Sequence, residues 1–483
     1  MSIVGPILHF GRTRADTPAI VEGKRTLAYG EFAAQVLRTA THLENLGIGP
    51  RDRVGLCLPD NSDHLISLLA LAHIGAVSVP LDWRAPPPDN ARLVAGLNLT
   101  CVLTETQARS AEGWNNVPFD SAWREAVARA MPAAASQTVW NDEFVISATS
   151  GSTGAPKFTV MTHLQYYFAL VGMWELMAIG GPHRFLCTLP FYYSGGRNSC
   201  MAHLLRGDCV VLYPSMFSPA EYANTVMRYA ITVGAAVPST VRQMLAASGD
   251  EMLLPDLAKF FCTGAPLHKE EKRQALVRLT PHFHERYGTA ETLAISVLRP
   301  KDILERPNSV GQPHSLAQIE IADDNYQPLP TGEAGRLRFR GPGMGTPLPG
   351  SAAEANFRDG WFYPGEIAHL DEAGYIFLRG RTSDVIMRSG AKIYPAEVEA
   401  VLAEHPDVLE AAVFGRHGAD NEEIIVAFVV PRGQPATGEL LAHCRTRLAP
   451  HKVPRQFHFL AALPKNTAGK TDKAALLAQL ADA

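Results

Sequence analysis

Ser147-Ala148-Thr149-Ser150-Gly151-Ser152-Thr153-Gly154-Ala155-Pro156-Lys157 gathers hydroxyls, glycines and one ammonium into a short stretch. That is chemistry suited to phosphate. Phosphate oxygens take many short donors, and glycine lets backbone N–H groups approach with no Cβ in the way. The spacing is not that of Walker A, G-x-x-x-x-G-K-[ST], because Lys157 follows Ala155-Pro156 rather than a glycine. From the residues alone, a phosphate cradle and a plain polar loop both remain open. A second candidate, Pro464-Lys465-Asn466-Thr467-Ala468-Gly469-Lys470-Thr471, ends in G-K-T but has Pro464 where the first Walker glycine belongs. A third, Arg286-Tyr287-Gly288-Thr289-Ala290-Glu291, sets an aromatic, a glycine and a carboxylate between two apolar segments. By itself it reads by default as a tight turn with a solvated Glu291.

The elements that must position these groups read as an α/β chain. Phe144-Val145-Ile146 leads into the first stretch, and an apolar-aromatic segment begins near His163. Residues 27–46 alternate apolar and polar at helical spacing, with Gly47 as a stop. Residues 52–59 read as a buried strand, 64–73 as an apolar helix and 76–80 as a second strand. That β-α-β rhythm predicts a parallel sheet covered on both faces. Apolar strands within 184–213 flank a loop, Leu189-Pro190-Phe191-Tyr192-Tyr193-Ser194-Gly195-Gly196, and 231–238 and 260–266 predict two more strand-to-loop units. Residues 84–139 carry Pro86-Pro87-Pro88 and alanine-rich helical stretches without evident chemistry. Toward the C-terminus a Gly/Pro-rich composition gives way to a regular helix over 395–404.

The 483 residues, 46% of them hydrophobic, are enough chain for more than one core. A formal net charge of -4 leaves no dominant basic face of the kind that binds nucleic acid. The seven cysteines are scattered, with no C-x-x-C pair, and read as buried thiols in a reducing compartment. The N-terminus lacks a signal-peptide pattern, and no apolar run is long enough to span a bilayer. The expectation is a soluble cytoplasmic protein that binds neither nucleic acid nor membrane.

Taken in order, the motifs resemble those of the adenylate-forming superfamily: acyl- and aryl-CoA synthetases, luciferases and the adenylation domains of peptide synthetases. S-G-S-T-G-A-P-K at 150–157 looks like its phosphate loop. The resemblance implies that Thr149, Ser150, Gly151, Ser152, Thr153 and Gly154 wrap the β- and γ-phosphates of ATP while Lys157 offsets their charge. Phe158 stands where the family usually has glycine, which bears on the mobility of the loop. L-G-I-G-P-R-D-R-V-G-L-C-L-P-D-N and G-A-V-S-V-P-L-D are similar to the family's N-terminal region.

The 189–196 loop is similar to L-P-x-F-H-x-x-G, which borders the acyl pocket. That implies a pocket formed by Tyr193, Ser194, Gly195, Arg197 and Gly264, with Tyr193 in place of a proton-handling histidine. Gly264 and Ala265 resemble the turn that packs against adenine and the acyl group. Residues 286–291 are similar to Y-G-x-T-E, implying Tyr287 stacked on adenine with Gly288 and Thr289 beside it, and Glu291 as the Mg²⁺ ligand. Ala290 replaces the threonine that touches the α-phosphate, leaving Thr289, Thr292 or the loop hydroxyls to substitute. Gly360-Trp361-Phe362-Tyr363-Pro364-Gly365-Glu366 resembles G-W-x-x-T-G-D. Glu366 would then hold the ribose hydroxyls, its oxygens displaced by about 1 Å through one extra methylene. Arg381 of Gly380-Arg381 becomes a second ribose or phosphate donor. Asp384 falls at the family's hinge, Ser389-Gly390 in the segment that admits the pantetheine thiol, and Lys470 at the adenylating lysine.

The implied architecture is a large N-terminal α/β domain (1–383), with parallel sheets and a small β-barrel-like region, and a mobile α+β C-terminal lid (384–483). The implied reaction activates a small carboxylic acid with ATP and Mg²⁺ to an acyl-adenylate, then forms a thioester with CoA, with Lys470 and Glu291 catalytic. No acid follows in 192–196 to pair an α-ammonium, so an aryl or medium acyl acid is expected rather than an α-amino acid. Arg197 is read either as a partner for a second anionic group or as an outward-facing arginine. Two alternatives stand beside this reading: transfer to a carrier protein's phosphopantetheine, and a nucleotide-binding paralogue with little catalysis.

Overall fold

The computed structural model describes residues 2–105, 113–136, 138–150, 156–213, 218–265, 267–388, 391–417, 423–464, 471–472 and 475–478. Among these residues the strands form two large sheets, a six-stranded antiparallel sheet and two small C-terminal sheets. In the nine-stranded sheet, Phe283–Thr289, Lys259–Thr263, Val233–Ala236, Arg184–Cys187, Cys209–Leu212 and Pro18–Glu22 run parallel, neighbour to neighbour. Antiparallel strands close both edges. In the seven-stranded sheet, Glu143–Ser150, Val77–Pro80, Arg53–Cys57, Cys101–Thr104 and Asn116–Pro118 are parallel.

One apolar cluster joins the two large sheets. Val54, Leu56 and Phe144 of one sheet and Phe185, Val210 and Phe261 of the other belong to it, with helices Ser62–Ile74, His163–Met177 and Ser194–Leu204 between them. Buried on every side, Ser62–Ile74 reads as uniformly apolar rather than amphipathic. Its ends are specified locally. Asn61 Oδ1 accepts from the His64 N–H at 3.1 Å, and Gly75 closes the helix at φ 78°. Thr162 and Gln165 form a reciprocal capping box at the start of His163–Met177.

Two expectations shift. The predicted helix over 27–46 begins only at Tyr29, because Arg25–Ala28 is a strand that turns back on Pro18–Glu22. The 84–139 region, read as helical, also supplies the two strands Cys101–Thr104 and Asn116–Pro118. The small β region is the six-stranded sheet holding Gln318–Ala322, Gly335–Arg340, Glu366–Leu370 and Ile376–Arg381.

Beyond Asp384 a separate core gathers Ile386, Ile393, Val398, Leu402, Val413, Ala427 and Leu440. Helix Pro395–Ala403 packs there with strands Val408–His417 and Glu423–Pro431. Among the described residues three ion pairs cross from this unit to the larger one: Arg242 to Glu410 at 3.8 Å, Lys392 to Asp324 at 2.5 Å, and Lys269 to Glu404. Among the described residues no helix is long and apolar enough to cross a membrane.

Candidate active site

Strands Lys259–Thr263 and Phe283–Thr289 are parallel neighbours, with Thr263 opposite Arg286. Gly264 and Ala265 therefore leave the sheet beside Tyr287, at the carboxyl ends of parallel strands, where open α/β sheets bind ligands. A buried pair braces the spot from below. Lys272 Nζ lies 2.5 Å from Glu285 Oε2, and both side chains are 3% exposed. The lysine's protons are directed at the carbonyls of Pro307 (2.8 Å) and Ser309 (3.2 Å), and Glu285 Oε1 accepts from the Leu267 N–H at 3.1 Å.

After Tyr287 the strand bulges and turns tightly into Leu293–Leu298. A Cβ on Gly288 would sit 1.8 Å from the Leu293 carbonyl oxygen, so only glycine fits. Leu293 itself is held at φ 57°, a left-handed conformation costly for an apolar side chain. Thr289 Oγ1 and Thr292 Oγ1 lie 3.1 Å apart, and Thr289 Oγ1 accepts from the Glu291 N–H at 3.2 Å. Both hydroxyls are thus engaged in holding the turn. Glu291 is 8% exposed, which overturns its reading as a solvated turn residue. No donor reaches its carboxylate among the described residues.

Glu366 opens strand Glu366–Leu370 and pairs across the sheet with Arg381. The Tyr287 hydroxyl donates to the Glu366 carboxylate. Enclosure of that hydroxyl, then the charge of Glu366, pushes its pKa well up, so it remains a donor. Tyr287, Glu366 and Arg381, far apart in sequence, are therefore brought together.

Glu366 and Thr382 also line a cleft of about 240 Å³ with Arg336, Arg358 and Asn356. Asn356 Oδ1 accepts from Lys157 Nζ at 3.2 Å, and Lys157 has no carboxylate partner among the described residues. The lysine of the first motif is thus tied to a residue of the cleft that Glu366 lines. Its hairpin, Glu143–Ser150 with Pro156–Thr162, places Thr149 opposite Lys157. Phe158 is buried against Ile146, Val160 and Leu348. Its N–H donates to Ser351 Oγ at 3.0 Å, and its carbonyl accepts from the Leu348 N–H at 2.9 Å. The residue after the lysine is an anchor.

The expected acyl-side loop is part helix. Tyr193 is the N-cap of Ser194–Leu204, so Ser194, Gly195 and Arg197 lie in or next to its first turn. This corrects the loop reading of 189–196, because a Cβ on Gly196 would meet the Leu189 carbonyl at 2.3 Å and the glycine lets the helix start tight against the loop. Arg197 is 2% exposed, which overturns its outward-facing reading. Arg286 Nη2 donates to Ser199 Oγ at 3.2 Å, sewing this helix to the Tyr287 strand. Gly151, Ser152, Thr153, Gly154, Ser389, Gly390 and Lys470 lie outside the described residues, and Thr149 and Ser150 are described in backbone only. Sequence reasoning passed over Asn356, Ser351, Asp60 and Lys272. Of these only Asp60 had a signal, its place just past a parallel strand.

These features define an enzyme of the nucleotide-binding α/β class with a small appended domain. A family model described as AMP-binding enzyme matches residues 9–346, and one described as AMP-binding enzyme C-terminal domain matches 397–470. The chain belongs to this adenylate-forming family. It is 32% identical over 473 residues to feruloyl-CoA synthase of an Amycolatopsis species, covering 94% of each chain. It is 28% identical over 479 residues to indoleacetate–CoA ligase of Aromatoleum aromaticum, covering 93% of this chain and 92% of that one. Its fold matches that of o-succinylbenzoate CoA synthetase from Bacillus subtilis, solved with an acyl-adenylate intermediate, at a TM-score of 0.88 and 24% identity over 98% and 97% of the two chains.

Proposed function

We propose that this protein is an AMP-forming acid–CoA ligase acting on an aryl or medium acyl acid. The observation that carries the reading is the gathering of Glu366, Arg381 and Glu291 about Tyr287, with Lys157 tied to Asn356 of the cleft that Glu366 lines. In the first step a carboxylate oxygen of the acid attacks the α-phosphorus of ATP, forming the acyl-adenylate and releasing pyrophosphate. Glu366 accepts from the ribose hydroxyls, Arg381 adds a cationic donor, and Lys157 and Lys470 offset the charge that develops on the phosphates. In the second step the CoA thiolate attacks the acyl carbon and AMP leaves. Lys470 and Gly390 cannot both face one small reaction centre, so the unit after Asp384 rotates between steps.

Glu291, enclosed and without a protein donor among the described residues, fits a magnesium ion. Such an ion takes one or two carboxylates and completes its shell from phosphate and water. Bound there, it would supply positive charge beside the leaving pyrophosphate. The location we propose is cytoplasmic, supported by seven buried cysteines, none of them in a disulfide.

The test is ATP–pyrophosphate exchange across a panel of carboxylic acids, repeated with CoA and with a phosphopantetheinylated carrier protein as acceptor. The expected result is exchange driven by an aryl or medium acyl acid and thioester formation with CoA. Nucleotide binding without acid-dependent exchange would overturn the proposal, and acylation of the carrier alone would reassign the acceptor.

A further inference from the structure

We infer that Asp60 and Arg197 are positioning residues for the acid. They hold Phe191 by both of its backbone polar atoms and so fix the Tyr192–Tyr193 pair at the mouth of helix Ser194–Leu204. The inference rests on the reading that this segment borders the acyl group.

Residues 188–193 leave strand Arg184–Cys187 and enter the helix with no sheet or helix ladder of their own. Phe191 is where they are fastened. Its N–H donates to Asp60 Oδ1 at 2.6 Å, and its carbonyl accepts from Arg197 Nη1 at 2.9 Å. Its ring is 1% exposed and meets the His64 ring edge-on at 5.3 Å. Asp60 follows strand Arg53–Cys57 of the seven-stranded sheet, whereas Phe191 follows a strand of the nine-stranded one. The clamp therefore ties the two sheets together at the acyl side.

Both charged groups sit where charge is costly. Among the described residues Arg197 has no carboxylate partner, and its Nε has no hydrogen-bond partner. Burial without a counter-ion is unfavourable, and here the guanidinium is spent on a carbonyl of the loop. Asp60 is a hub. Its Oδ2 lies 3.4 Å from Trp83 Nε1 and 4.0 Å from Arg84, and the Arg84 guanidinium lies 5.4 Å from the centre of the Tyr192 ring. The Tyr192 and Tyr193 rings lie 4.0 Å apart, tilted by 37°. One carboxylate thus sets the backbone before the tyrosine pair and, through Arg84, the face of the pair itself. A displaced Tyr193 reshapes the wall that an acid meets without touching Glu366, Arg381 or Glu291.

The experiment compares Asp60→Ala with Asp60→Asn, and Arg197→Met with Arg197→Lys, in acid-dependent exchange over acids of graded size. Asparagine keeps an acceptor for the Phe191 N–H, and lysine keeps a donor for its carbonyl. Asp60→Ala and Arg197→Met are expected to lower kcat/KM for the acid 10- to 100-fold, on the order of the loss from a misplaced substrate. They should also flatten the preference among acids, leave KM for ATP within about twofold, and be largely rescued by the conservative variants. Near-ultraviolet circular dichroism reads the clamp without activity: Asp60→Ala, but not Asp60→Asn, alters the tyrosine band, and does so only when Tyr192 and Tyr193 are present. Unchanged dichroism in Asp60→Ala, or equal rises in KM for acid and ATP, overturns the inference. Loss of preference confined to dianionic acids in Arg197→Lys assigns Arg197 to the substrate instead and overturns it too. Absence of exchange in the wild type with every acid, alongside the dichroism change, rejects the ligase reading and leaves the clamp standing.

Discussion

Replacing Lys272 by methionine tests how the nucleotide side of the site is supported. The ammonium sits 2.5 Å from Glu285 with both side chains 3% exposed, and it also serves the carbonyls of Pro307 and Ser309. Methionine fills the same volume but leaves a buried carboxylate whose remaining donor is the Leu267 N–H. Breaking a buried pair from one side costs about 3–5 kcal/mol, or roughly a 150- to 5000-fold loss in the folded-to-unfolded ratio. The cost should reach function, because Glu285 lies two residues before Tyr287 and Leu267 two after Ala265. KM for ATP should therefore rise along with the instability. Urea denaturation of the whole chain, with the transition of the larger unit fitted separately, reads the first effect, and exchange kinetics read the second. Lys272→Met with Glu285→Gln removes the stranded charge and keeps an acceptor for Leu267, and should return to within about 2 kcal/mol of wild type. A single variant losing less than about 1 kcal/mol, or a double variant no better than the single, would refute the reasoning.

Acid should destabilise the fold through buried histidines. Burial, the largest influence on each, lowers His64 and His163 to about 4 and His284 to about 3, from an ordinary 6.5. Since the folded values are the lower ones, stability is full above the unfolded value and is lost as pH falls from 6.5 toward 4. At about pH 5.5 the three together should cost about 4 kcal/mol, and thermal midpoints equal at about pH 7.5 and 5.5 would refute this. Glu291→Gln should lower acid-dependent exchange on the order of 100-fold and raise the magnesium concentration for half-maximal rate, with folding stability nearly unchanged. An unaltered magnesium dependence would remove Glu291 from the metal.

The parallel-strand rhythm was legible because short apolar runs such as Val54–Cys57 and Val77–Val79 are buried on both faces and carry no competing pattern. Cys101–Thr104 was missed because its four residues lie within an alanine- and proline-rich stretch. The site's contiguous motifs could be found by their resemblance to the family's. Their supports could not, since Lys157 and Asn356 are 199 residues apart, and Asp60 and Phe191 131 apart. Arg197 shows the limit most clearly. A composition prior points arginine outward, and only the packed neighbours reveal a buried backbone clamp.

The junction between the large unit and the one after Asp384 is bridged by Arg242–Glu410, Lys269–Glu404 and Lys392–Asp324, all of them pairs that water reaches. Pairs of this kind each hold by about 0–1 kcal/mol, and dissolved salt weakens them further. A seam fastened by such contacts can be undone and remade in another register at little thermodynamic cost, whereas an oily seam would resist sliding. Raised ionic strength is therefore expected to loosen these three ties of the appended unit, leaving the deep cores of both units intact.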